Sequence, residues 1–265
     1  MTPRLLLALV VTACSAMAVG CVSLLLLPTE DSLDGHPADG GGAGDGAVGD
    51  DDDAGGSDGD AGDAEFCATR SGSALCDDFD EGGIDGTTWS QDADAGTVVT
   101  LAASTISPPY GVKLSAPGSA TNIHAYLSHA FSGPAVEIRC TVAFQLLAGQ
   151  AGEILGLGTT SGLVDVRAES GAVYLAQNVA PYTFAAGEGR LTLGKTTRIT
   201  LALTSGAGCP KVKAEILLDD VSDTSNCVDA PTGLTDMTFY LGVPYLVNAP
   251  LAWSALYDDV VCTVK

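Results

Sequence analysis

From residue 66 onward the chain alternates between apolar and polar positions. In "AVEIRCTVAFQL", Val136, Ile138, Cys140, Val142, Phe144 and Leu146 fall on one side and Glu137, Arg139, Thr141 and Gln145 on the other. A period of two is the mark of a strand with one buried and one solvated face. "TRITLALT" repeats it, with Ile199, Leu201 and Leu203 opposite Arg198, Thr200 and Thr204. "KVKAEILLD" does the same, with Val212, Ala214, Ile216 and Leu218 against Lys211, Lys213 and Glu215. Further strands are predicted over 97–105, 111–117, 125–131, 153–159, 163–168, 172–177, 237–243 and 254–264. Turn signals such as "SPPYG", "FSGPA", "TSGAG" and "NAP" separate many of them. No long window shows a helical period. About a dozen short strands without helices predict an all-β sandwich or barrel, formed as one domain over 66–265.

The first third of the chain reads differently. After "MTPR", residues Leu5 to Leu27 carry no charge. These 23 residues are long enough for an uncleaved membrane anchor. "AMA" at 16–18 also fits an ordinary signal cleavage site. "AVGC", ending at Cys21, resembles the lipobox of bacterial lipoproteins, which implies cleavage before Cys21 and its acylation. "VTAC", ending at Cys14, fits the same loose pattern but leaves only nine residues after Arg4 for the apolar region and cleavage site. Acylation at Cys21 leaves six cysteines, an even number; acylation at Cys14 leaves seven. The expected layout is therefore a signal peptide over 1–20 and a lipid-anchored linker over 21–65. That layout implies an exported protein held on the cell envelope, at the outer membrane or cell surface, with simple secretion as the alternative.

Charge sharpens this layout. Thr29 to Glu65 holds 13 acidic residues and no Lys or Arg, out of a net charge of −22. Residues 31–63 are mostly Asp, Gly and Ala, a composition that cannot bury enough apolar surface to offset chain entropy, so a disordered tether is expected. Its Asp spacing lacks the pattern of calcium loops, although diffuse cation association, calcium included, fits the charge. Residues 66–265 hold 20 acids and 10 bases. Such a surface repels phosphate backbones, so nucleic acid is not an expected partner.

"LCDDFDEGGIDGTTWSQ" carries Asp78, Phe79, Asp80 and Trp89 in an order that resembles the first segment of concanavalin A-like and laminin-G-like jelly rolls. "TTRITLALTSGAGCPKVKAEILLDD" resembles their central hairpin, and "APLAWSALYDDVVCTVK" their last strand. The resemblance implies a two-sheet antiparallel jelly-roll sandwich whose terminal strands are neighbours in one sheet.

The six cysteines beyond Cys21 allow fifteen connectivities. Cys67 and Cys76 suit a local clip, and Cys209 and Cys227 bracket a hairpin. Cys140 and Cys262 remain, each mid-strand among valines; their bond closes a long loop and is worth roughly 3–5 kcal/mol. No C-x2-C or Cys/His cluster points to a metal.

Jelly rolls of this shape include glycoside hydrolases, which work through paired carboxylates. The "E-x-D-x-x-E" of laminarinase-like enzymes is absent, since no Glu here is followed two positions on by Asp. Asp219/Asp220 and Asp258/Asp259 are adjacent and point to opposite faces unless a bulge intervenes. Asp78 and Asp80 can share a face. His124 and His129 are five apart and face opposite sides. No "G-x-S-x-G" supports an esterase. Trp89, Trp253 and most tyrosines are expected in the core, which leaves the loop aromatics Tyr110 and Tyr182 as ligand-binding candidates. The leading expectation is a monomeric, surface-tethered, non-catalytic module that binds glycan or an extracellular protein without a cofactor. The alternatives are a carbohydrate-active hydrolase with a non-standard carboxylate pair and a purely structural envelope lipoprotein.

Overall fold

The structure is a computed structural model that describes residues 65–118, 123–149, 151–159, 162–178, 182–229, 233–246 and 252–265. The expected signal segment, the lipidation site Cys21 and the tether up to residue 64 lie outside the described residues. One helical turn, α1 (Glu65–Ala68), precedes fifteen strands. The first are β1 (Leu75–Asp77), β2 (Ser90–Ala93), β3 (Val98–Ala103), β4 (Tyr110–Ala116) and β5 (Ile123–Ala130). Then come β6 (Glu137–Ala148), β7 (Ala151–Thr159), β8 (Gly162–Glu169), β9 (Ala172–Gln177) and β10 (Thr183–Arg190). The last are β11 (Thr196–Ser205), β12 (Val212–Leu218), β13 (Val221–Val228), β14 (Thr238–Leu246) and β15 (Trp253–Val264).

These strands make two antiparallel sheets. The eight-stranded sheet runs β13-β12-β11-β6-β15-β4-β3, with β1 added on β15; the seven-stranded sheet runs β10-β9-β8-β7-β14-β5-β2. The alternating residues explain the layering. Ile138, Cys140, Val142, Phe144, Ile199, Leu201, Leu203, Val212, Ala214 and Ile216 are buried, and they meet Leu155, Leu157, Val164, Val166, Leu175, Phe239 and Leu241 of the other sheet in one core. Burial at about 25 cal/mol per Å² of apolar surface is the main term holding such sheets face to face. The terminal strands are neighbours, with Leu75 opposite Cys262 and Asp77 opposite Val260.

The cysteine bonds are Cys67–Cys76, Cys140–Cys262 and Cys209–Cys227. Cys140 and Cys262 stand directly opposite each other on β6 and β15, inside the core. Cys209–Cys227 closes the β12–β13 hairpin, and Cys67–Cys76 folds the segment before β1 onto the sheet.

Two details depart from the pattern reading. Val136 lies just ahead of β6 and is exposed; its N–H donates to the carbonyl of Lys265 instead of entering the core. On β15 a bulge separates Asp258, opposite Ala143, from Val261, opposite Thr141. Asp258 is fully buried and accepts a hydrogen bond from Ser104 Oγ at 2.6 Å and one from the Ser107 N–H at 3.2 Å. It anchors the loop after β3, a structural task.

Candidate functional site

The solvent-facing side of the seven-stranded sheet gathers most of the chemistry. Its register places Tyr240 of β14 opposite Gly156 of β7, Gly156 opposite Asp165 of β8, and Asp165 opposite Ala176 of β9. One row along, Asp92 of β2 pairs with Tyr126 of β5, and Arg167 of β8 lies between Glu153 of β7 and Tyr174 of β9. Tyr126 and Arg167 are thus three strand spacings apart, about 14 Å. Of the two strands between them, β7 carries Gly156, where a Cβ would fall 2.8 Å from Leu163 Cδ1. Two walls of functional side chains therefore stand on either side of β14 and β7, with Leu163 packed over Gly156 between them.

The first wall is a guanidinium holding two carboxyl groups. Arg167 Nε donates to Asp165 Oδ2 at 2.5 Å, and Nη2 donates to Glu153 Oε1 at 2.6 Å and to Asn178 Oδ1 at 3.1 Å. Asp165 and Glu153 are buried, whereas Arg167 is part-exposed and lies over the ring of Phe184 at 5.7 Å. Desolvation raises the Asp165 carboxyl above the ordinary range despite the guanidinium beside it. Two buried acids on one cation need such relief, because a second uncompensated negative charge in the interior is costly.

The second wall is a hydrogen-bonded tyrosine and histidine. Tyr126 donates its hydroxyl to Asp92 Oδ2 at 3.0 Å. His124 Nε2 lies 3.1 Å from Asp92 Oδ1 and Nδ1 lies 2.9 Å from Asp94 Oδ2. Tyr240 meets the Tyr126 ring edge-on, with centroids 5.5 Å apart. Desolvation, then the bond to Asp92, pushes the Tyr126 phenol up to about 12. That phenol keeps its proton at neutral pH.

The residues singled out from sequence fall elsewhere. Tyr110 and Tyr182 are both exposed, but Tyr110 starts β4 of the eight-stranded sheet and Tyr182 leads into β10 of the seven-stranded one, so the fold does not bring them together. Trp89 and Trp253 are core residues. His129 turns inward, its ring 5.0 Å from that of Phe131, while His124 faces solvent. Asp219 and Asp220 form the β12–β13 turn with φ of 49° and 65°. The carboxylate oxygens of Asp77, Asp78 and Glu81 lie within 4.8 Å of one another. Asp77 already accepts bonds from the Phe79 N–H and from Trp89 Nε1, so this group braces the turn around Phe79. The Asp165, Arg167 and Tyr126 groups were missed. The available signal was the i, i+2 spacing in "VDVR" and "HAY", which puts each pair on one strand face.

No family model matches the sequence, and no curated protein matches it. Solved structures do. An endo-β-1,4-glucuronan lyase from the fungus Trichoderma reesei aligns at 13% identity and a TM-score of 0.57, over 73% of this chain and 96% of that one. The fold is a concanavalin A-like jelly roll. The cellulose-induced protein Cip1 aligns at 14% identity and 0.52, over 71% and 96%. A botulinum neurotoxin type C structure, described for its dependence on two ganglioside molecules, aligns at 8% identity and 0.51, over 75% of this chain and 49% of that one. These matches correct the leading expectation of a non-catalytic binding module. A jelly roll that fits this chain over nearly its whole length is that glucuronan lyase, so the likeness of fold does not single out a non-catalytic module.

The buried carboxyls set a pH dependence of stability. Burial holds the Asp258 carboxyl at about 7 and raises that of Asp165 as well. In the folded chain both keep a proton at pH values where the unfolded chain has lost it. Their contribution is full below about pH 4 and disappears as pH rises through about 7. Asp85, Asp92, Glu137 and Glu215 are shifted down and ionised in both states above about pH 5, so they do not mask the trend. Urea unfolding is expected to show stability falling between about pH 5 and 7.5, with a shallower fall in Asp258→Asn. Stability that rises across that window would contradict the assignment.

Proposed function

We propose that this chain is a carbohydrate-active enzyme that cleaves an acidic polysaccharide by β-elimination on the solvent-facing side of the seven-stranded sheet. The observation that carries the reading is the placement of a part-exposed guanidinium, Arg167, on the same sheet face as Tyr240, across β7, and as Tyr126 and His124, across β7 and β14. Elimination needs those two kinds of group. A cation beside the uronate carboxylate stabilises the negative charge that develops when the neighbouring C–H proton leaves. The electron pair of that bond forms a C=C bond, the glycosidic C–O bond breaks, and the departing oxygen takes a proton. No water is consumed.

Arg167 is the charge-stabilising group. Tyr126, which holds its proton at neutral pH, gives it to the departing oxygen. The abstracted proton goes to the exposed carboxylate of Asp92 on the same wall, which bonds the Tyr126 hydroxyl and returns the proton to it, while His124 holds that carboxylate in place. Hydrolysis through Glu153 and Asp165 is less well served, because both acids are buried and bound to Arg167. A hydrolytic carboxylate pair must flank the scissile bond in the open. The glucuronan lyase among the matching structures supports the substrate class. In this reading the domain is displayed on the bacterial envelope through acylated Cys21 and the acidic linker.

The test is product chemistry. The full-length, oxidised chain is incubated with glucuronan, alginate, pectate and a neutral β-glucan. New reducing ends and the near-ultraviolet absorbance of the unsaturated uronate are read together. Both signals rising with one acidic polymer is the expected result. Reducing ends without absorbance would mean hydrolysis, and silence on all four polymers would remove the catalytic reading.

A further inference from the structure

The other sheet carries a cavity that the proposed cleavage does not use. It measures about 580 Å³ and lies on the outer face of the eight-stranded sheet, where the 69–73 segment arches over β6, β11 and β15. Its floor is threonine hydroxyls beside Val261. Thr141 and Thr200 are opposite one another on β6 and β11 with their Oγ1 atoms 2.8 Å apart; on β15 Val261 continues that row, and Thr263 stands opposite Arg139.

The charge around this floor runs against the rest of the molecule. Residues 66–265 carry twice as many acids as bases and only five arginines, yet three of the five, Arg70, Arg139 and Arg198, line this one cavity. Arg139 and Arg198 each lie two residues from the Thr141–Thr200 pair on antiparallel strands, hence on opposite sides of it. Four strand residues separate them along the sheet, about 13 Å. Arg70 comes from above, on the segment that the Cys67–Cys76 bond clips down, with its guanidinium over the Phe66 ring at 5.0 Å. Their charge is only loosely compensated. Arg139 Nε is 3.5 Å from Glu137, which Lys265 approaches more closely at 3.1 Å. Arg198 makes no carboxylate pair among the described residues, and Asp220 is the one acid lining the cavity. Guanidinium forks match planar oxyanions, and threonine hydroxyls exchange hydrogen bonds with sugar hydroxyls.

We propose that this cavity is a second carbohydrate site, one that holds a saccharide bearing carboxylate or sulfate groups on successive residues. Two guanidinium groups at the ends of a hydroxyl floor suit anionic substituents spaced along a sugar chain. A neutral saccharide would cover three arginines without supplying an anion to them. The site stands independently of cleavage on the opposite face, although an enzyme acting on an acidic polymer would gain from holding the chain at two points.

The test is calorimetric titration of the full-length, oxidised chain with oligoglucuronate, a sulfated oligosaccharide and a neutral cello-oligosaccharide of equal length. At least one anionic probe is expected to bind and the neutral one not. Arg70→Gln and Arg198→Gln should each weaken that binding about tenfold, as befits loss of a charge-assisted bond. Amide shifts at Thr141, Thr200 and Thr263 on adding the probe to the unmodified chain locate it without relying on a variant. Tight binding of the neutral probe, binding of neither anion, or affinity unchanged in both variants would overturn the proposal. Binding that depends on Arg198 in a chain that yields no unsaturated product would sink only the elimination reading.

Discussion

Replacing Tyr126 with Phe is expected to lower kcat on an acidic polymer by about 10²–10⁴-fold, the usual worth of a positioned proton donor. The substitution removes one oxygen and keeps the ring that packs edge-on against Tyr240. Asp92 keeps His124 as its partner, so no carboxylate is left unpaired. Folding stability should stay within about 1 kcal/mol, the ordinary value of one net hydrogen bond. Because the phenol acts on the departing oxygen and not on the bound sugar, KM should change little. Steady-state kinetics on the polymer, with urea unfolding of the same preparations, separates these outcomes. A variant as active as the parent would remove Tyr126 from the mechanism, and a large loss of stability would make it a packing residue.

Arg167→Met should have the largest effect on the fold itself. It leaves Asp165 and Glu153 buried without their cation, and breaking one side of a buried ion group costs about 3–5 kcal/mol. Acid relieves part of that cost, because the orphaned carboxyls can take up protons. The stability difference from the parent should therefore narrow as pH falls toward about 5. Adding Asp165→Asn to Arg167→Met should recover part of the loss at neutral pH, since one of the two orphaned charges is then gone. Urea unfolding of the parent and both variants at the two pH values reads all of this. A loss below about 1 kcal/mol that ignores pH would show the guanidinium to be a surface charge.

The layers of the sandwich were legible because period-two alternation is strongest where one face is buried. β6, β11 and β12 follow it along most of their length, whereas in the sequence Cys140–Cys262 is only the pair left over, and the register of β6 on β15 is what sets those two opposite each other. β10, "TFAAGEGR", carried no such signal. Its glycines exist because the β12–β13 hairpin crowds it: a Cβ at Gly187 would land on the Asp223 carboxylate, and one at Gly189 on Leu218 Cδ1. Close approach of a second strand erases the apolar pattern that prediction relies on.

The site was less legible for a related reason. Asp92, Tyr126, Glu153, Arg167 and Tyr240 come from five strands, and only sheet register brings them to one face. Acids close together along the chain and aromatics in loops are what a sequence displays. Here those are Asp219/Asp220, which shape a turn, Asp258, which anchors a loop, and Tyr110 and Tyr182, which the fold keeps apart. Adjacency along a strand says which face a residue takes; adjacency across strands is set by topology.

The most direct measurement of the central claim compares cleavage of glucuronan with cleavage of the same polymer after its carboxylates have been reduced to alcohols. Elimination needs the carboxylate to acidify the neighbouring C–H bond and to engage Arg167. The account predicts unsaturated product from glucuronan and none from the reduced polymer. Equal release of reducing ends from both, without unsaturation, would show that the seven-stranded sheet hydrolyses neutral backbone and would contradict the account.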